Sequence, residues 1–236
     1  MSVIHPSCAI VTGTSSGIGQ AIATKLLNEG WNVHGLDMAS SSLRNPLFTS
    51  WQLDLTQAQA LEGVLDTILN AHLPKVLVHA AGIFRVGRLG LLDPKAGQLM
   101  WQLHVDVATQ LANRVLPIMQ QAKQGRMILV GSRVSSGIAG RSQYAATKAA
   151  LLSLARSWAA ECIVHGVTVN VVSPAATDTP MLKDPARANT TAQLPPIGRL
   201  IQPDEVAGLV AYLICPEAAA ITGQDIAICG GSSVQR

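Results

Sequence analysis

The chain has 236 residues, 48% of them hydrophobic and 13% charged, with a formal charge of +3. That length can bury a sizeable core, and the composition excludes a disordered chain. The small net charge and the lack of Lys/Arg runs argue against a nucleic-acid partner, and no apolar stretch approaches the roughly 20 residues that cross a bilayer.

Residues 8–12, CAIVT, form a short apolar run that suits a strand buried on both faces of a parallel sheet. TGTSSGIG follows at 12–19, then QAIATKLLNEG at 20–30, with helical periodicity and Gly30 as its stop. Strand, glycine-rich turn and helix in that order bring orphan N–H groups and the positive end of a helix to an anion. Glycine is needed where the backbone turns tightly against a pyrophosphate. The next strand, WNVHGLD, ends in Asp37, eighteen residues after Gly19. A carboxylate there accepts hydrogen bonds from the adenosine ribose hydroxyls and repels a 2′-phosphate. No basic residue stands in the turn or directly after Asp37, so the pattern points to NAD rather than NADP.

SWQLDLT predicts a third strand reaching Asp54, and AQALEGVLDTILNA an amphipathic helix that buries Leu61, Leu65, Ile68 and Leu69. VLVHAAG is a fourth strand running into Ala80, Ala81 and Gly82, whose small side chains leave room for a ligand at its carboxyl end. Residues 99–119 read as one long helix that Pro117 weakens or ends. GRMILVGS supplies the fifth strand and delivers Ser132 to the same edge. Residues 145–156, AATKAALLSLAR, favour a helix, which sets Tyr144 and Lys148 on one face, one turn apart. An ammonium about 4 Å from the phenol, at an effective dielectric near 20, is worth about 4 kcal/mol, or roughly three units off a tyrosine's ordinary ~10.

GVTVNVVSP is a sixth strand, PDEVAGLVAYLIC a helix opened by Pro203, and QDIAICGG a last strand. Residues 179–196, rich in Pro, Thr, Asn and Asp, predict a mobile substrate flap. No repeat or linker interrupts the chain, so 1–236 reads as one domain. Cys8, Cys162, Cys215 and Cys229 are scattered without a CxxC pair, which predicts buried, reduced thiols and assigns no metal. The first residues carry no signal-peptide pattern, and a cytoplasmic protein is expected.

TGTSSGIG, Asp37, LDLT around Asp54, HAAG at 79–82, Ser132, YAATK at 144–148, NVVSPAATDT and TGQDIAICGG occur in the order expected of the short-chain dehydrogenase/reductases. The chain resembles the classical type of that family over essentially its whole length. The resemblance implies an α/β, three-layer, doubly wound Rossmann fold with a mainly parallel, seven-stranded sheet. It implies NAD-dependent hydride transfer between a nicotinamide and a secondary alcohol or ketone. It makes Tyr144 the acid or base and Lys148 the residue that holds the ribose and lowers the tyrosine's pKa. Ser132 becomes the partner of the reacting oxygen, with Ser135 and Ser136 as the bland alternatives. Gly13, Ser15, Ser16, Gly17, Ile18 and Gly19 would line the pyrophosphate side, and Asp54 and Leu55 would flank adenine. Ala80, Ala81 and Gly82 also fall to the cofactor, while Pro174, Thr177 and Thr179 would meet its pyrophosphate and carboxamide end.

The sequence departs from the family pattern in three places. His79 opens the stretch that is usually NAG-like and is read as a hydrogen-bonding residue of the sheet. His104 takes the slot of a catalytic asparagine, either positioning a water beside Lys148 or filling a core position. Ala175 replaces a common glycine, which a negative φ would tolerate. Arg85, Arg133 and Arg141 lie in loops expected to face the substrate, where they can bind a carboxylate or another oxygen-rich anion bidentately. IFRVG and SPAATDTPM are locally similar to 2,3-dihydro-2,3-dihydroxybenzoate dehydrogenases. Overall the chain is also similar to polyol or sugar dehydrogenases and 3-oxoacyl-thioester reductases. A nucleotide-binding regulatory protein with little turnover is the reading from another class. The family resemblance further implies a homotetramer or homodimer built through the long helix and the Tyr/Lys helix.

Overall fold

The central strands are buried at every position rather than at alternate ones, in all of β1 (Cys8–Thr12) and all of β6 (Val167–Pro174). Such strands must be covered on both faces, and parallel neighbours need crossover helices to do it. In the computed structural model, which describes residues 6–187 and 193–234, this is what the chain builds. β2 (Asn32–Asp37), β3 (Phe48–Gln52), β4 (Pro74–His79), β5 (Gly125–Val130) and β7 (Asp225–Ile228) join them in one parallel sheet ordered β3-β2-β1-β4-β5-β6-β7. The strand order reverses between β1 and β4. In a doubly wound sheet the crevice outside the carboxyl ends of those two strands is the ligand position.

On one face α2 (Ala58–Ala71), α4 (Val107–Gln121) and α5 (Ser142–Cys162) pack Leu61, Leu65, Ile68, Leu111 and Leu151 against Ile10, Leu77, Met127 and Val169. On the other, α1 (Gly17–Asn28) and α6 (Pro203–Ile214) pack Ile22, Leu26, Val206 and Val210 against Ala9, Val11, Val76 and Ile128. Each Leu or Ile buried this way contributes about 1.5–3 kcal/mol. Of the α2 residues expected inside, Leu61, Leu65 and Ile68 are buried and Leu69 packs against them half-buried.

Four expectations need correction. The third strand ends at Gln52, short of Asp54. Asp54 Oδ1 accepts from the Thr56 N–H (2.9 Å) and the Thr56 hydroxyl (2.7 Å), a turn that takes the chain out of the sheet and into α2. The long helix is two: α3 (Pro94–Trp101), started by the Asp93 carboxylate on the Lys95 N–H, and α4, joined by a π-helical turn at Gln102–Asp106. Pro117 lies inside α4 without ending it, because it and Asn113, whose carbonyl loses a donor, both face water. All four cysteines are free, with Cys8 and Cys162 buried but Cys215 and Cys229 only half-buried. The described part of the expected flap forms 3-10 turns at Pro180–Lys183 and Pro185–Arg187, and residues 188–192 lie outside the described residues. Ala175 is not among the residues with positive φ, as its tolerance requires. Among the described residues no helix is long and apolar enough to cross a membrane, and no group of three or more His, Cys, Asp or Glu could hold a metal ion.

One polar network crosses the apolar layer at the strand reversal. His79 Nε2 faces the Leu103 carbonyl at 3.1 Å and must carry the ring proton, so Nδ1 accepts from the Thr12 hydroxyl at 2.9 Å. Thr12 Oγ1 in turn accepts the N–H groups of Ala80 (3.1 Å) and Ala81 (3.0 Å). The sheet role expected of His79 is thereby filled at both nitrogens. Burial, followed by the charge of Lys148, pushes the His79 imidazole down to about 3. A depressed folded-state value means that its share of stability is complete above the ordinary ~6.5 and is lost as pH falls from there toward 3. Between pH 7 and pH 5 we expect His79 to cost about 2 kcal/mol. Urea unfolding of the wild type and His79→Asn at the two pH values should show a smaller loss in the variant; equal losses would exclude this origin.

Candidate active site

A cleft of about 1180 Å³ runs along the carboxyl edge of the sheet. At one end β1 passes through the glycine turn into α1. Gly13 has φ +77°, and a Cβ there would stand 2.9 Å from the Ala81 nitrogen; one on Gly19 would stand 2.1 Å from the Gly13 carbonyl oxygen. Only hydrogen fits at either place, which lets β1, the turn and the loop after β4 close together. Ser16, at the start of α1, makes no side-chain cap, leaving first-turn N–H groups for an anion. The Asp37 carboxylate accepts from the Ser15 and Ala39 N–H groups at 2.9 Å each and retains lone pairs toward the cleft it lines. This cradle, with its uncapped helix end and acceptor carboxylate, fits a dinucleotide.

At the other end stand Tyr144 and Lys148, one turn apart on α5, and Ser132 at the end of the loop after β5. All three are buried. Ser132 accepts the Val134 N–H, and its hydroxyl is near enough to Tyr144 to favour the phenolate, which singles it out from Ser135 and Ser136; the exposed Ser136 hydroxyl bonds instead to the Arg133 carbonyl. Lys148 Nζ donates to the Val130 carbonyl at 2.8 Å and stands 5.9 Å from the Tyr144 ring centre. Burial lowers Lys148 to about 8, so it stays mostly cationic at neutral pH. The tyrosine moves the other way. Burial pushes its phenol up, against the Ser132 hydrogen bond and then the charges of Arg187 and Arg141. Lys148 is not among the groups that lower the phenol, so the expected depression from it is not seen and desolvation dominates.

His104 is fully buried in the π-helical turn. Its Nε2 accepts the Ile83 N–H at 3.1 Å, so Nδ1 bears the proton and donates to the Thr147 hydroxyl at 2.8 Å, which passes its own proton to the Tyr144 carbonyl at 2.9 Å. Burial, then the charges of Lys148 and His79, hold the ring well below its ordinary value. It packs edge-on against Tyr144, ring centres 5.7 Å apart. With both nitrogens engaged by protein, the ring has none left for a water.

Comparison with known proteins agrees with this geometry. The family model described as enoyl-(acyl carrier protein) reductase matches residues 13–233. The 3-oxoacyl-(acyl-carrier-protein) reductase of Vibrio cholerae is 37% identical over 234 residues, covering 94% of this chain and 96% of that one. The chain belongs to the short-chain dehydrogenase/reductase family. The 2,3-dihydro-2,3-dihydroxybenzoate dehydrogenase of Escherichia coli is 32% identical over 95% of this chain and 96% of its own. Among solved structures, a variant of actinorhodin polyketide ketoreductase with NADPH superposes with a TM-score of 0.90 at 26% identity, covering 100% of both chains. The ligand-free aldohexose dehydrogenase of Thermoplasma acidophilum also reaches 0.90 at 26% identity, covering 98% and 96%. The family's nucleotide-binding fold implies a nicotinamide cofactor.

The residues assigned from the sequence to catalysis, cofactor and substrate all line this cleft, including Asp54, Leu55, Pro174, Thr177 and Thr179, while His79, Ser135 and Ser136 do not. Their surroundings differ. The Asp54 carboxylate is occupied by Thr56, whose hydroxyl and then N–H lower its pKa. The Thr177 hydroxyl donates to the Ala175 carbonyl at 3.0 Å, and the Thr179 side chain closes on Gly17. Arg85 pairs with Asp184 at 3.0 Å, Arg133 donates to the Ser232 carbonyl, and Arg141 lies over the Phe84 ring. Sequence reasoning missed Phe84, Arg88, Arg187 and Thr147. Only Thr147 carried a signal, one residue from Lys148 on a face that turns toward α3 and the π turn.

Because Thr147 is the acceptor for a buried imidazole N–H, Thr147→Val should destabilise the fold by about 1–3 kcal/mol while Thr147→Ser retains most of the stability. Chemical denaturation of both variants checks this, and equal losses would remove the hydroxyl from the argument.

Proposed function

We propose that the protein is an NAD-dependent oxidoreductase that interconverts a secondary alcohol and a ketone. What carries the reading is the convergence of Tyr144, Ser132 and Lys148 at one end of a cleft whose other end has the glycine turn and Asp37. The bound nicotinamide supplies the hydride acceptor or donor. In oxidation the carbinol loses hydride from carbon and a proton from oxygen; in reduction the carbonyl gains both. Tyr144 handles the proton at that oxygen and Ser132 donates a hydrogen bond to it. Lys148 keeps a positive charge behind the pair and holds the ribose. His104 acts as a positioning residue, fixing Tyr144 through Thr147 and the loop after β4 through Ile83. Burial keeps the phenol protonated, which readies it to deliver a proton to a ketone and makes the oxidative direction the one favoured by rising pH.

NAD is preferred over NADP in this reading because Asp37 meets the adenosine ribose and no Lys or Arg lines that end of the cleft among the described residues. A second reading, reduction of 3-oxoacyl thioesters, is supported by the Vibrio cholerae relative. The same family reading makes the protein a cytoplasmic homotetramer or homodimer assembled through α4 and α5.

With a panel of alcohols, diols, hydroxy acids and 3-oxoacyl thioesters, nicotinamide absorbance should reveal turnover. Tyr144→Phe should lower kcat by about 10²–10⁴-fold with the NAD Kd within about threefold of wild type. Tight NAD binding with no turnover on any compound would favour the regulatory reading. In calorimetric titration NAD should bind at least about tenfold more tightly than NADP, and Asp37→Ala should narrow the gap. Equal affinities in the unmodified protein would sink the cofactor assignment.

A further inference from the structure

The charges lining the cleft are divided. The glycine-turn end carries Asp37 and Asp54, while the Tyr144 end carries Arg85, Arg88, Arg133, Arg141, Arg187 and Lys148. Near these cations Asp184 bonds to Arg85, and its charge also acts on Arg187. One carboxylate against six cations leaves a local positive surplus among the described residues.

Two of the arginines are organised around one ring. The guanidinium carbon of Arg141 stands 5.4 Å, and that of Arg187 4.5 Å, from the centre of the Phe84 ring. Phe84 meets Tyr144 edge-on at 4.8 Å between centres. The two guanidiniums are thus one aromatic ring away from the hydroxyl that handles the proton, and both charges reach that phenol. Arg187 is only 9% exposed although it sits in a turn over the cleft. The ring face attracts both guanidiniums, while their like charges repel each other, a repulsion that a bound anion would lower. The wall around them is apolar, with Ile83, Val134, Ile138 and Met181 packed about Phe84 and Tyr144. An apolar wall of this kind strengthens a charge-assisted pair beside it.

We propose that the substrate carries a carboxylate, bound by Arg141 and Arg187 beside Phe84 with its carbinol or carbonyl carbon at Tyr144. This rests on the oxidoreductase reading above. The carboxylate sits on the substrate itself, a short chain or ring away from the reacting carbon. An uncharged alcohol of the same shape lacks the anchor, and the acidic end of the cleft repels an anion that enters the wrong way round.

The test compares molecules that differ only in charge. Calorimetric titration of the NAD-loaded protein with cyclohexanecarboxylate and with cyclohexanecarboxamide should give a Kd about tenfold to a hundredfold lower for the acid. In Arg187→Gln and in Arg141→Gln the ratio should fall toward one. NADH formation from 3-hydroxycyclohexanecarboxylate should exceed that from its amide by a similar factor in kcat/KM, through KM. Equal affinity for acid and amide in the wild type would overturn the proposal, whatever the variants do. So would a preference for the acid that survives both substitutions. Selective binding of the acid with no turnover of any alcohol would leave the carboxylate site standing and overturn the oxidoreductase reading instead.

Discussion

The hydroxyl of Thr12 is the point on which the cleft depends. β1 and β4 are neighbours in space but diverge at their carboxyl ends, since the chain leaves them toward opposite halves of the sheet. That divergence opens the crevice and also strands the N–H groups of Ala80 and Ala81 at its floor. Thr12 accepts both and gives its own proton to His79, whose other nitrogen ties the π turn of Gln102–Asp106 to the same place. An unsatisfied buried N–H costs about 1–3 kcal/mol, so a hydroxyl here removes two such penalties with one side chain. The loop is held open by hydrogen bonds rather than by packing, which leaves the space above it for a ligand.

From that floor the chemistry end is built under one tension, the cost of taking polar groups out of water. Tyr144, Lys148, His79 and His104 are all buried within reach of one another. Desolvation disfavours charge on each, and the structure resolves the competition by letting one group keep it. Lys148 remains the cation, stabilised by the Val130 carbonyl, and both histidines stay neutral beside it. The imidazoles can do this because each has a donor on one nitrogen and an acceptor on the other. An uncharged ring that satisfies both atoms is cheap to bury, so the histidines serve here as rigid struts.

The strand and helix order was legible in the sequence because a parallel sheet buried on two faces imposes short, uncharged and largely apolar runs between the helices. The glycine turn was legible because its backbone admits few residue types. The helix period set Tyr144 and Lys148 on one face, but only the glycine turn, Asp37 and the order of strands around them gave that pair its meaning. What escaped has a common cause: it depends on where distant segments return. The environment of His104 is set by Thr147, 43 residues on, and by Ile83, so its slot in the sequence could not tell a water-positioning residue from a strut. The break between α3 and α4 contains the same ring, while Pro117, which looked like a stop, is harmless because its face is solvated. Arg187 lies in a Pro-rich turn whose composition says only that it is no regular element; nothing local reveals that it folds back over Phe84.

The divided charge of the cleft links these observations. A nicotinamide dinucleotide is itself polar along its length, with an adenosine ribose that prefers acceptors at one end and a pyrophosphate that prefers donors in the middle. Asp37 and the uncapped start of α1 match those two demands in order. Beyond the pyrophosphate the cofactor brings no further negative group, yet the lining there is rich in arginine. Arg85 and Arg187 there share the charge of Asp184, and Arg141 and Arg187 both lie over the Phe84 ring. The cleft is thus acidic at the end that suits a ribose and basic at the end that holds Tyr144, so its two ends place opposite demands on whatever it binds.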